Sequence, residues 1–346
     1  MKKVKWAMLI TLVALLAGPG CKKGVESASE PIKKQAEDHY TKARRLFLTC
    51  DPDKYPEAIK EYQLALNLWD EYPEALAGLA EAISMWRGFN ISEKEFGDTY
   101  QYAQRALRLN PELAAGYRAM ADLSRHRKDF ERALRQIDMA VRLEPQNAEN
   151  LYVKGSSLLA ANPQEAYQIL LSAQKANPDL PKTYYNLASA AQKLGRFDEA
   201  SSYLSKYQEM VPADISAYCS LGMIKLAKRD KEKSDTVKQQ LAAESIELFK
   251  LTIARSDPQK KPWQVPWVLM SYMTIGKMAL EHKNNQEAID NFKKAELVFP
   301  ADAELQYIMG ITYKNMGDKK SAKEHLLRAQ DVAPKNEQVK KALKEL

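Results

Sequence analysis

The sequence predicts an all-α chain, a solenoid of about eight helix–turn–helix units closed by a C-terminal helix, and three observations carry that reading. Prolines recur at Pro111, Pro145, Pro178 and Pro212 in steps of 34, 33 and 34, and a step of 34 returns between Pro300 and Pro334. A fixed period of this length marks stacked structural units. Between successive prolines lie two apolar stripes at helical spacing. Tyr184, Leu187, Ala188 and Ala191 fall at i, i+3, i+4 and i+7; Gly195 supplies the left-handed residue that ends that helix; Ala200, Leu204 and Tyr207 form the second stripe before Pro212. The chain has 346 residues, and single cores stop growing at about 250–300 residues, so length also favours an array.

Within each unit, residue size alternates at fixed offsets. Ala121, Gly155, Ala188, Gly222, Gly276 and Gly310 are the small residues of the first helices, and Ala133, Ala166, Ala200, Ala288 and Ala322 open the second. Ile137, Leu170, Leu204, Phe292 and Leu326 follow four residues on, and Ala140, Ala173, Tyr207, Ala295 and Ala329 three residues later. Small residues are expected where the two helices touch, since only they permit close backbone approach. This pattern resembles the tetratricopeptide repeat, which implies a right-handed superhelix. The units fall near 36–70, 71–111, 112–145, 146–178, 179–212, 213–257, 266–300 and 301–334, with a capping helix at 335–346. Three steps are longer, 41 from Asp70 to Pro111, 45 from Pro212 to Asp257 and 43 from Asp257 to Pro300, so three units carry insertions. The first is expected to lengthen the turn around Arg87 to Asp98 and the second, Lys228 to Gln240, to extend both helices of its unit. The third, Pro258 to Pro266, sets Trp263 and Trp267 beside a rigid turn, either packed against the preceding helix or exposed as a contact patch.

The first twenty residues read as an address. Lys2, Lys3 and Lys5 precede an uncharged run of twelve residues from Trp6 to Ala17, which Gly18-Pro19-Gly20-Cys21 ends. A spanning helix needs about twenty apolar residues, so this run is an export signal. With Leu15, Leu16, Ala17 and Gly20 before Cys21, the segment resembles a bacterial lipoprotein signal, although Gly18 stands where that class prefers Leu. The resemblance implies lipid on Cys21 as the first mature residue, against a plain secretory signal in which Cys21 is incidental. Residues 21–35 then form a flexible tether. Lys22 lacks the aspartate that retains such proteins in the inner membrane. The expected location is therefore the periplasmic face of the outer membrane, with a periplasmic, secreted or inner-membrane protein as the alternative.

Composition excludes several classes. At 45% hydrophobic and 28% charged the chain is neither disordered nor multi-spanning. The nominal charge of +7 falls to +4 without the three N-terminal lysines, too little for a nucleic-acid partner. Cys50 and Cys219 lie several units apart and are expected to be buried thiols. The histidines, His39, His126, His282 and His325, are isolated, and H-E-x-x-H, C-x-x-C, G-x-G-x-x-G and G-x-S-x-G are all absent. The expectation is a non-catalytic protein without metal or cofactor.

The inner wall remains as the candidate site. The resemblance implies that the fifth and ninth positions of each first helix line the concave face. The fifth row reads Ala77, Arg118, Tyr152, Tyr185, Cys219, Met273 and Tyr307, and the ninth Glu81, Asp122, Ser156, Ser189, Met223, Lys277 and Ile311. Tyrosine and methionine suit a peptide or partner helix from another envelope protein; the alternatives are an envelope polymer stacked on the tyrosines and side chains that only fill the superhelix interior against each other. The Lys, Asn and Arg set with which some members clamp a C-terminal carboxylate is not reproduced in these rows.

Overall fold

The computed structural model describes residues 28–88 and 91–346. The signal segment and Cys21 lie outside them. The described chain is helical throughout, built as eight antiparallel pairs: α1 (Glu30–Leu48) with α2 (Tyr55–Leu68), α3 (Pro73–Arg87) with α4 (Glu93–Leu109), α5 (Ala114–His126) with α6 (Phe130–Leu143), α7 (Ala148–Leu158) with α8 (Pro163–Ala176), α9 (Pro181–Lys193) with α10 (Phe197–Met210), α11 (Ser216–Arg229) with α12 (Asp235–Ala254), α13 (Val265–Glu281) with α14 (Asn285–Val298), and α15 (Ala303–Asn315) with α16 (Lys319–Val332). Helix α17 (Glu337–Lys344) lies against α16 and buries Val339 and Ala342.

The small-to-large alternation is what closes each pair. A methyl group added at Gly155 would stand 2.6 Å from Leu170 Cγ, and one at Gly310 the same distance from Leu326 Cγ. Such approaches are below contact distance, so neither position accepts a side chain without displacement. Ala133, Ala166, Ala200, Ala288 and Ala322 are fully buried opposite them. Short polar caps start the second helices, as Asp129, Asn162, Asn284 and Asp318 each accept an amide of the first turn.

Three local expectations change. Helix α1 begins at Glu30, inside the span expected to be tether; Pro31 sits in its first turn, where a missing N–H is harmless. The insertion near Arg87 goes mainly into helix rather than turn. Most second helices have 14 residues, whereas α4 has 17, starting on a capping box between Ser92 and Glu95. The second insertion lengthens α12 alone, to 20 residues, while α11 keeps 14, so the expected extension of both helices is confined to the second.

Helices α3, α5, α7, α9, α11 and α13 pack side by side and form the inner layer. The curl is tight enough that the first unit touches much later ones. Lys261 Nζ lies 2.5 Å from Asp53 Oδ2, and Trp263 Nε1 donates to Asp53 Oδ1 at 3.2 Å. Among the described residues no helix is long and apolar enough to cross a membrane.

Candidate functional site

The concave wall divides into two stretches. Along α3, α5 and α7 it is covered by the chain's own first unit, which corrects the expectation of a trough open along its whole length. Phe47, Leu48, Cys50 and Tyr55 at the end of α1 and start of α2 face Met85, Arg118, Asp122, Tyr152, Val153, Leu180 and Lys182, enclosing a cavity of about 40 Å³. Here Arg118 and Glu81, each 4% exposed, pair with one another. Arg44 from α1 pairs with Glu149 and reaches Glu81 at 3.6 Å, and Arg118 reaches Glu149 at 3.7 Å. Arg118 Nη1 also donates to Asn150 Oδ1 at 2.9 Å. Two guanidinium groups thus meet two carboxylates in a closed quartet, the arrangement that lets charges be buried.

Beside the quartet lies a serine, a histidine and an aspartate. Arg125 Nη2 lies 2.8 Å from His126 Nε2. Arginine only donates, so Nε2 accepts and the ring proton sits on Nδ1. Nδ1 is 2.9 Å from Ser84 Oγ, and Ser84 in turn donates to Asp122 Oδ2 at 2.9 Å. The serine proton therefore points at the carboxylate, and the imidazole donates to the hydroxyl instead of accepting from it, the reverse of what nucleophile activation requires. Burial, then Arg125, pushes the His126 pKa down to about 3, so the ring is neutral. Burial alone would raise the Asp122 carboxyl, but Arg125 and Ser84 hold it well below the ordinary range. The cluster is a structural network. Among the described residues no group of His, Cys, Asp and Glu is placed to hold a metal.

Further along, the wall opens into a cavity of about 460 Å³. Phe130, Tyr152, Tyr185, Tyr207 and Trp267 supply its aromatic surface, Ser156, Asn186 and Ser216 its neutral polar groups, and Arg125, Lys182, Lys193 and Asp214 its charges. Tyr185 and Tyr207 meet edge to face with centroids 5.2 Å apart, and Tyr185 Oη lies 2.9 Å from Ser220 Oγ. Asp214 accepts from Tyr207 Oη at 2.5 Å and from the Ser216 amide at 2.9 Å. Burial pushes Lys182 below the usual lysine range.

The expected site residues therefore separate. Tyr152, Ser156 and Tyr185 line the open cavity, whereas Arg118 and Asp122 are sealed beneath the first unit. Cys219 and Met273 are buried in contacts between units, with Ser271 donating to the Cys219 thiol at 3.7 Å. Ser189 bonds back to the Tyr185 carbonyl, Met223 is exposed, Lys277 pairs with Glu304 at 2.7 Å, and Tyr307 is half-buried. Trp263 reaches across to Asp53 and not only to its own neighbours, while Trp267 packs beside Phe249 and Ile275 and borders the cavity. Cys50 and Cys219 are free and buried, and burial raises the Cys50 thiol to about 11. Lys182, Asn186 and Lys193 lie outside the fifth and ninth rows. They share a stripe of α9 with Tyr185 and Ser189, at i, i+4 and i+11, which helical spacing alone would reveal.

The tetratricopeptide repeat model matches residues 157–221 and 279–346. Solved structures of similar fold include the Cut9–Hcn1 hetero-tetramer of APC/C, at 18% identity and a TM-score of 0.62, covering 92% of this chain. This chain spans 57% of the length of that one. Human IFIT1, solved as a dimer with m7Gppp-AAAA, matches at 14% identity and a TM-score of 0.62, with 91% of this chain and 84% of that chain covered. At these identities the likeness is one of fold. No curated protein matches the chain. The chain carries tetratricopeptide repeats stacked as a solenoid, an architecture that suits a protein-interaction scaffold.

Proposed function

We propose that this protein is a non-catalytic scaffold of the bacterial cell envelope that holds a segment of a partner protein in the open stretch of its concave wall. The observation that carries the reading is the cavity of about 460 Å³, walled by Tyr152, Tyr185, Tyr207 and Trp267 beside a stretch of inner wall that the first unit covers. Rigid aromatic side chains give contact area with little entropy to lose, so a few of them dominate such an interface. The basic start, the uncharged run to Ala17 and Cys21 support export and lipid attachment, with the outer membrane as the site of anchoring. An assembly role resembling that of repeat lipoproteins that pilot secretins or type IV pilus components fits this arrangement. The second reading, an envelope polymer such as peptidoglycan or polysaccharide, draws on the same aromatic lining, because tyrosine and tryptophan faces also stack on sugar rings.

A photo-crosslinking residue in place of Tyr185, used in cells, separates the two. Recovery of one stoichiometric protein supports the scaffold; recovery of polymer alone, or of nothing, overturns it. Mass spectrometry of the mature N-terminus tests anchoring, since a lipid-modified Cys21 is required and an unmodified chain cut elsewhere removes it.

A further inference from the structure

We infer that the open cavity receives an extended acidic segment of the partner, with Lys182 and Lys193 as the two cations that engage its carboxylates. The inference rests on the scaffold reading and adds the chemistry of what is held.

Charge bookkeeping along the wall comes first. In the covered stretch both arginines of the quartet have carboxylate partners. Lys182, which borders both cavities, and Lys193, which borders the open one, have no carboxylate within ion-pair distance among the described residues. The carboxylates that face Lys182 are already engaged. Asp122 is held by Arg125 and Ser84, and Asp214 by Tyr207 and the Ser216 amide. Lys182 Nζ instead lies 3.9 Å from Met85 Sδ and 5.2 Å from the centroid of the Tyr55 ring, weak partners for a largely enclosed ammonium. An uncompensated charge at such a position is unfavourable, and an arriving anion relieves it.

Geometry then sets the ligand's form. Lys182 and Lys193 stand eleven residues apart on α9, three helical turns, with Tyr185, Asn186 and Ser189 between them on the same stripe. Three turns span about 16 Å, the reach of about five residues of extended peptide. Neither lysine occupies the fifth or ninth row, so this is a different set of positions from those rows. Within the covered stretch the same wall already receives the rings of Phe47 and Tyr55 from the first unit, so aromatic side chains fit against it.

The test uses the full chain and three fluorescein-labelled ten-residue peptides of equal aromatic content, in which two positions five residues apart are Glu, Gln or Lys. Fluorescence anisotropy should rank them Glu, then Gln, then Lys, with a preference for Glu of about tenfold that shrinks as salt rises. Lys182→Gln should abolish that preference. Lys193→Gln, on an exposed side chain that does not threaten folding, should reduce it several-fold, and Lys341→Gln on α17 should not change it. Equal binding of the Glu and Gln peptides overturns the charge assignment while leaving the scaffold reading intact. Failure of all three peptides to bind overturns the extended-peptide assignment, and preferential binding of dextran sulfate over the Glu peptide reassigns the cations to a polymer. Loss of photo-crosslinking at Tyr185 to any protein would instead remove the scaffold reading itself.

Discussion

The two stretches of the concave wall carry the same kinds of side chain in opposite states. Where α3, α5 and α7 meet the first unit, Arg44, Glu81, Arg118 and Glu149 neutralise one another and are sealed from solvent. Where α9 borders the open cavity, Lys182 and Lys193 have no carboxylate within ion-pair distance among the described residues, and tyrosines are shared between the core and the opening. The buried ion pairs of the wall thus lie where its own chain covers it, and the two lysines that lack carboxylates border the opening. That contrast separates residues whose loss should damage folding from those whose loss should damage binding.

The largest effect is expected in the covered stretch. Arg118→Ala leaves Glu81 buried without its main partner and should lower unfolding free energy by about 3–5 kcal/mol in urea titration. The paired change Arg118→Met with Glu81→Met should recover much of that loss, and if it does not, the quartet is not an isolated charge balance. The next largest concerns the plug. Tyr55→Ala removes a ring that is 3% exposed and should cost about 3 kcal/mol, with faster amide exchange along α5 and α7. Tyr55→Phe should be neutral or slightly stabilising, because the Tyr55 hydroxyl is buried without a hydrogen-bond partner.

Acid should act through the same stretch. His126 titrates near 3 when folded and near the ordinary value of 6.5 when unfolded. Between those values the unfolded chain binds more protons, so stability falls with falling pH, by up to about 1.4 kcal/mol per unit from this residue. Facing groups are Arg125, Asp122 and Lys182, and Asp122 adds a further loss only below the ordinary aspartate range. His126→Gln should flatten the slope between pH 6 and pH 4; an unchanged slope would move its origin elsewhere. The smallest effect belongs to the surface tie, where Asp53→Ala should cost less than about 1 kcal/mol because Lys261 and Asp53 are both partly exposed.

Much of this architecture is legible in the sequence because each unit is a local solution. Gly155 beside Leu170, and Gly310 beside Leu326, follow from spacing within one unit. The rows of the inner wall are legible for the same reason, and Tyr152, Ser156 and Tyr185 are found from them. What spacing does not encode is the curl. It accumulates from small rotations at each interface until Asp53 meets Lys261, and no pattern at period 34 indicates that contact. For that reason Arg118 and Asp122 read as an open surface while lying beneath Phe47, Leu48 and Tyr55. Lys182 and Lys193 stand outside the rows that the repeat's geometry singles out, although the α9 stripe contains them.

Carbodiimide coupling of the unmodified protein, followed by peptide mass spectrometry, tests directly whether the first unit folds back onto the later ones. This zero-length reagent joins only carboxylates and amines already in contact. The closed arrangement predicts an Asp53–Lys261 cross-link across 208 residues of sequence, at a yield comparable to the nearby pairs Lys225–Glu244 and Lys277–Glu304. Efficient coupling of those two pairs with no Asp53–Lys261 product would mean that the superhelix stands open and that its inner wall is not occupied by its own chain.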